Sequence, residues 1–319
     1  MSAVQAVVEA GGAPATRLME RLEQRMASLA AGHGELVGRH AGETISAGGK
    51  RLRPLLVFLA AGVPPPETEG LLRAAVAVEL IHSATLVHDD VLDGSPLRRG
   101  RPTVVATAGR RLATATGDLL FSRAFGELVK SRSPAAIRVL SKASSELARG
   151  ELMQRADAWR VVDVQRYLER CRLKTAVLFA AACELGAIEG AGPARDLARF
   201  GEQIGVAFQL LDDVLDVSGP PERTGKPRGT DLLDGTVTLP LIVACGRDPD
   251  LARLDLQRIQ TPQAAAEVCD RIALTGALQT ARTQALEMIV AAKAELPALP
   301  ASQRQALELI ADGVVERYS

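Results

Sequence analysis

Apolar residues recur every three or four positions along most of the chain, the spacing at which side chains share one face of an α-helix. Segment 15–47 reads as one or two amphipathic helices, with Leu18, Leu22, Met26 and Leu29 on a common face. Residues 71–93 are apolar almost all round, as in a helix at the middle of a bundle. The same spacing predicts helices over 111–130, 135–155, 163–185, 193–217, 237–246, 263–292 and 301–317. Glycine and proline interrupt the pattern at "GGKRLRP" (48–54), where Pro54 suits a first helical turn, and at "GVPPPETEG" (62–70). Further breaks fall at "GSPLRRGRP", "GAIEGAGP" and "SGPPERTGKPRGTDLLDG". No segment alternates polar and apolar residues for long, so no strand is predicted. Residues 1–14 read as a loose N-terminal tail. Nothing divides the remainder, and the expectation is one all-α domain over 15–319.

Composition agrees. Hydrophobic residues make up 47% of the 319 positions but aromatics only 3%; the rest is mainly Ala, Leu and Val, and Ala and Leu are strong helix formers. The 38 basic and 38 acidic residues cancel, which points away from nucleic acid and from an anionic membrane surface. Cys171, Cys183, Cys245 and Cys269 are scattered without a CxxC pair, a pattern that suits reduced thiols better than a disulfide frame or a zinc site. The first residues lack a charged leader followed by a long apolar block, and no uninterrupted apolar run is long enough to cross a bilayer. A cytoplasmic protein with no transmembrane segment is expected.

Charge is concentrated where the central helix should end. "LVHDDVLDGSPLRRGRPT" (86–103) sets Asp89, Asp90 and Asp93 after an apolar run, with two arginines five residues later. At 100° per residue, His82, Asp89 and Asp93 form one polar stripe, and Asp90 sits to its side. "VAFQLLDDVLD" (206–216) repeats the spacing with Asp212, Asp213 and Asp216, again on an apolar helix, with Gln209 on the acidic face and Gly205 leaving room. One such motif is as easily an exposed acidic helix end. Two, both pointing inward, would repel unless cations lay between them. Carboxylate oxygens without His or Cys suit Mg²⁺, or Mn²⁺, which complete their shells with water and phosphate. Lys50, Arg53, Arg98, Arg99, Lys174 and Lys226 fall in breaks or beside polar motifs. Each alone reads as a surface residue; together with metal they suit phosphate oxygens, and so a diphosphate leaving group.

These motifs resemble the trans-isoprenyl diphosphate synthase (polyprenyl synthetase) family. The match runs from about residue 40 to the end, through "GGKRLRP", "HDDVLDGSPLRRGRPT", "GDLLF", "GELMQ", "KTA", "AFQLLDDVLD", "GKPRGTDLLDG" and "TLPL" in family order. The resemblance implies a helical bundle of the isoprenoid synthase type around a central cavity, a homodimer, and three Mg²⁺ with diphosphate bound. It implies head-to-tail condensation of isopentenyl diphosphate with an allylic diphosphate. By position, Asp89, Asp93 and Asp212 are implied metal ligands, with Asp90, Asp213 and Asp216 supporting them, partly through water. Arg98, Lys174 and Lys226 are implied contacts of the allylic diphosphate; Lys50, Arg53, His82 and Arg99 of isopentenyl diphosphate. Thr175, Phe208 and Gln209 would line the reacting centre, although core packing alone would also account for Phe208. The sequence departs from the family at Thr236, where Lys is usual, and at Val105 and Ala108.

Product length should depend on the helix that carries Asp89, because a growing chain needs ~5 Å, one helical turn, per isoprene unit. Thr85 lies nearest the expected floor, then Ile81 and Val78, and the family adds Ala84. Thr85 and Ala84 are small where short-chain members carry Phe or Tyr, so the floor is expected deeper, at Phe121 or Phe125, which core packing explains equally well. A product of about C30 to C50, of the kind used for quinone side chains, is expected. C20 geranylgeranyl diphosphate is the alternative, and a subunit of a heteromeric synthase a further one, although such partners lose aspartates that this chain keeps. Membrane contact should be peripheral at most, for product release. A terpene cyclase would not need "GGKRLRP" and "RRG" for a second diphosphate.

Overall fold

The structure is a computed structural model and describes residues 3–31, 35–46, 48–98, 100–219 and 227–316. Its elements are overwhelmingly helical. The chain opens with α1 (Ala3–Ala10), α2 (Gly12–Ala31), α3 (Glu35–Ser46), α4 (Leu52–Ala61) and α5 (Glu69–Asp93). Two-residue strands β1 (Leu97–Arg98) and β2 (Arg101–Pro102) pair antiparallel, Leu97 opposite Pro102 and Arg98 opposite Arg101. Then follow α6 (Val104–Ser131), α7 (Pro134–Ala156), α8 (Val164–Cys171), a π-helical turn (Arg172–Ala176), α9 (Val177–Glu189) and α10 (Ala194–Ser218). The remainder holds α11 (Thr230–Leu233), α12 (Leu239–Cys245), α13 (Pro249–Ala252), a 3₁₀ turn (Leu256–Arg258), α14 (Pro262–Leu274), α15 (Ala277–Ala294) and α16 (Ala301–Glu316).

Two compact units make up the chain: residues 1–144, 178–201 and 296–310 in the first, residues 145–177, 202–295 and 311–319 in the second. The first is built on α5. Thr68 caps it, its hydroxyl accepting from the Leu71 amide at 3.2 Å, and Gly94 ends it in the left-handed region at φ 63°. Fifteen of its 25 residues are buried, Glu79, Ser83 and Asp90 among them. By length and composition α5 passes as a membrane-crossing helix, although Arg73, Glu79 and His82 interrupt its apolar run, but 72% of its most apolar window is buried inside the fold. A core helix in a bundle has the same all-round apolar surface.

Close helix contacts in this unit depend on glycine. A Cβ on Gly186 of α9 would lie 2.1 Å from the Val57 carbonyl oxygen of α4 and 2.9 Å from the Ala60 Cβ. Buried charge is held in the same unit. Arg51, at φ 48° just before α4, donates to Glu79 at 2.8 Å, to Glu23 at 2.6 Å and to the Ile45 carbonyl at 2.9 Å. Burial works against the guanidinium's charge, yet the two carboxylates hold its pKa above the ordinary value. The second unit has its own apolar core, in which Val217, Leu232, Val237, Leu241, Val268 and Ile272 are buried and Trp159 packs against them.

The structure corrects the sequence reading in three places. Of the expected loose tail over 1–14, the described residues 3–14 are mainly helical: α1 lies there and α2 starts at Gly12, with Val7 and Ala15 buried. The continuous helix expected over 263–292 breaks between α14 and α15, where Gly276 takes φ 74°. The "GSPLRRGRP" break carries the short β-hairpin, where no strand is expected. Replacing Gly186 with Ala forces its methyl into the α4 backbone, and we expect a loss of about 1–3 kcal/mol or more. Denaturant unfolding of Gly186→Ala against the parent chain reads this out, and an unchanged midpoint would contradict the close α4–α9 contact.

Candidate active site

Each unit carries one acidic cluster. In the first, the last turns of α5 present Asp89 and Asp93 half-buried, while Asp90 is only 6% exposed. Asp90 is the buried member because its Oδ1 accepts from Arg98 Nε at 2.7 Å. The β1–β2 hairpin sets Arg98 there, eight residues on from its partner. Burial raises the Asp90 pKa, and the pull of Arg98 does not fully offset it. Just before Asp89, the His88 ring stacks on Phe121 of α6 with centroids 5.8 Å apart, and its Nε2 lies 3.3 Å from Asp118 Oδ1. A Cβ on Gly117 would meet that ring at 2.2 Å, so the glycine of "GDLLF" makes room for it.

The other expected residues of this unit are placed as follows. Lys50 is exposed and His82 half-buried. Arg53 lies with its guanidinium 4.6 Å from the Phe179 ring centroid, a cation–π arrangement. Ile81 and Ala84 are fully buried. Thr85 is half-buried, its hydroxyl donating to the His82 carbonyl at 2.8 Å, and Phe121 and Phe125 are half-buried. Arg99 and Lys226 lie outside the described residues.

In the second unit a hydrogen-bonded chain runs through the second motif. Tyr167 of α8 donates to Asp213 Oδ2 at 2.6 Å, and Gln209 Nε2 donates to Asp213 Oδ1 at 2.7 Å. The Gln209 Oε1 in turn accepts from the Thr175 hydroxyl at 2.6 Å. A carboxylate only accepts, so Asp213 fixes which way the Gln209 amide faces. Asp213 is 2% exposed, and burial pushes its pKa up to about 7 against the pull of Tyr167 and Gln209. Asp212 and Phe208 are half-buried; Asp216 is buried, its Oδ2 accepting from the Asp231 amide at 3.2 Å. Lys174 Nζ donates to Glu151 Oε2 at 2.6 Å.

Thr175 and Lys174 both sit in the π-helical turn, an irregularity that often marks functional positions. Sequence reasoning passed over Tyr167, Glu151, Phe179 and His88. Tyr167 stands seven residues before Lys174, a two-turn spacing that signals a shared helix face, but the π-turn between them changes that phase. Thr236 is half-buried, its amide donating to the Asp231 carbonyl at 2.8 Å.

Among the described residues, no group of three or more His, Cys, Asp or Glu side chains is gathered to hold a metal ion unaided. The donors still suit magnesium, which binds through one or two carboxylates with water and substrate phosphate and does not need an all-protein cage. Asp89, Asp93 and Asp212 are the part-exposed carboxylates of the two motifs, and Asp90 and Asp213 are buried on side-chain donors.

Residues 35–273 match the family model described as polyprenyl synthetase. A heptaprenyl diphosphate synthase component 2 from Geobacillus stearothermophilus is 46% identical over 212 residues, which cover 65% of this chain and 66% of that one. A geranylgeranyl diphosphate synthase from Methanosarcina mazei is 42% identical over 209 residues, 63% of this chain and 64% of that one. The matched stretch thus spans about two thirds of these relatives' lengths. The crystal structure of a polyprenyl synthase from Caulobacter crescentus, complexed with calcium and isoprenyl diphosphate, superposes with a TM-score of 0.88 at 36% identity, covering 99% of this chain and 98% of that one. The chain belongs to the polyprenyl synthetase family of prenyltransferases, and its fold is the all-α fold of isoprenyl synthases.

The raised pKa of Asp213 has a measurable sign. Its folded value, about 7, lies above the ordinary 3.8, so the metal-free folded state keeps a proton that the unfolded chain releases. Stability should therefore fall as pH rises from about 4 to about 7 and level off above. In thermal melts with chelator present, Asp213→Asn should remove that part of the slope; an unaltered slope would assign it to other groups.

Proposed function

We propose that this chain catalyses the magnesium-dependent head-to-tail condensation of isopentenyl diphosphate with an allylic diphosphate, giving an all-trans polyprenyl diphosphate. The observation that carries the reading is the Thr175–Gln209–Asp213–Tyr167 chain, which fixes the second acidic motif while its neighbour Asp212 stays part-exposed. Family membership, and a relative's structure holding calcium and isoprenyl diphosphate, support it. Asp89, Asp93 and Asp212 would hold the metal, with Asp90, Asp213 and Asp216 behind them. Bound magnesium supplies positive charge against the departing diphosphate, where electrostatic stabilisation acts most strongly. Arg98, Lys174 and Lys226 grip the allylic diphosphate; Lys50, Arg53, His82 and Arg99 hold isopentenyl diphosphate. The allylic carbon–oxygen bond breaks as the isopentenyl double bond attacks that carbon, and the released diphosphate takes the proton lost. Thr175, Gln209 and Phe208 line the reacting centre and exclude water.

The proposed product is about C30 to C50, made by a cytoplasmic homodimer, with C20 as the alternative. Thr85 supports the longer range: one turn before Asp89 it is part-exposed and small, whereas Ala84 is fully buried, so that a large residue at 84 would also strain the core. The heteromeric reading rests on the relative named as a component 2 of heptaprenyl diphosphate synthase.

Incubating the purified chain with magnesium, isopentenyl diphosphate and C10, C15 or C20 primers tests the reading, and elongation without a partner excludes an obligate heteromer. Asp89→Ala and Asp212→Ala should each lower turnover by about 10³-fold or more, the scale on which removing catalytic charge stabilisation acts; near-normal rates overturn the site. Thr85→Phe should shorten the product by at least one isoprene unit in chromatography of the dephosphorylated products, and an unchanged length refutes Thr85 as a floor position.

A further inference from the structure

The stretch "GELMQ" (150–154) has no part in the chemistry above, yet it lies directly against the π-helical turn. A Cβ on Gly150 would stand 2.7 Å from the Lys174 backbone nitrogen and 2.9 Å from the Leu173 carbonyl carbon. Only glycine lets the α7 backbone come this close to the turn without displacing it. The next residue, Glu151, has a side chain 18% exposed. Its Oε2 accepts from Lys174 Nζ at 2.6 Å and its Oε1 from Arg155 Nε at 2.8 Å. Burial alone would raise the Glu151 pKa; Lys174 and Arg155 outweigh it and hold the group below its ordinary value, so it is an anion at neutral pH.

A lysine ammonium on a four-carbon stem is a mobile charge, and fixing it costs about 2 kcal/mol of rotamer entropy. A carboxylate that takes one of its three N–H donors meets that cost before substrate arrives and leaves two donors for phosphate oxygens. Glu151 could instead act as a competitor that neutralises Lys174. Its second oxygen is engaged by Arg155, so the local cluster of Glu151, Lys174 and Arg155 remains net positive, which favours holding over competition.

We propose that Glu151 is a positioning residue for Lys174: Gly150 sets the spacing, and the Glu151 carboxylate holds the ammonium ready for the allylic diphosphate. The proposal rests on Lys174 being a contact of that diphosphate. Glu151→Gln keeps the shape and removes the charge. It should raise KM for the allylic substrate about tenfold, the scale of one charge-assisted hydrogen bond. KM for isopentenyl diphosphate and the melting temperature should stay nearly constant. Calorimetry with magnesium and inorganic diphosphate should show weaker binding, and Glu151→Asp, which keeps the charge, should recover part of it. In a Lys174→Met background, Glu151→Gln should have no further effect.

Tighter allylic binding in Glu151→Gln would make the carboxylate a competitor and overturn the proposal. So would an early-melting variant in which both KM values rise together, because that marks a structural role. If Lys174→Met raises the allylic KM and Glu151→Gln does not, the proposal alone fails. If Lys174→Met leaves that KM unchanged, the reading of Lys174 fails first and the proposal with it.

Discussion

A charge shut away from water must be met by a partner, and that constraint organises both acidic motifs of this chain. Asp213 is nearly inaccessible and accepts from a phenol and an amide; Asp90 is nearly inaccessible and accepts from a guanidinium. In each motif the aspartate next to the buried one, Asp212 or Asp89, keeps part of its surface open. The two adjacent carboxylates of a DD pair therefore have different work. One anchors the helix end to its surroundings, and the other stays partly open at the surface.

The same constraint governs the cations. Lys174 is paired to Glu151, Arg98 to Asp90, and Arg51 to Glu79 and Glu23. Arg51 differs from the others in being buried with both carboxylates around it, which makes it a structural member of "GGKRLRP", while exposed Lys50 and ring-stacked Arg53 flank it. Three basic residues within four positions thus divide into a buried lock, an exposed lysine and a ring-stacked arginine. A buried pair of that sort is costly to break from one side, because the remaining charge is left uncompensated.

Much of this was legible in the sequence because helical spacing is a strong signal. The apolar run over 71–93 gave α5 to within two residues, and the i, i+4 relation of Asp89 and Asp93 separated them from Asp90. Breaks written in glycine were less legible: Gly276 divides what reads as a single helix, since an isolated glycine is tolerated in helices as often as it ends them. Partners far along the chain were not legible at all. Tyr167 and Asp213 stand 46 residues apart, Lys174 and Glu151 23, and no periodicity joins them. The N-terminal residues misled because a short Ala- and Val-rich segment is a marginal helix alone, and tertiary burial of Val7 is what secures it.

The π-helical turn at Arg172–Ala176 carries a consequence for how this stretch can change over time. Such a turn holds one residue more than a regular one, so losing a single amino acid there would leave an unbroken α-helix with a shorter count. Because the wide turn absorbs that extra residue, its loss would leave the helix on either side close to its present phase, and the change would fall on the side chains that the turn itself presents, Lys174 and Thr175. Point substitutions there act one side chain at a time, but a one-codon deletion in "RLKTA" would re-index the whole turn at once.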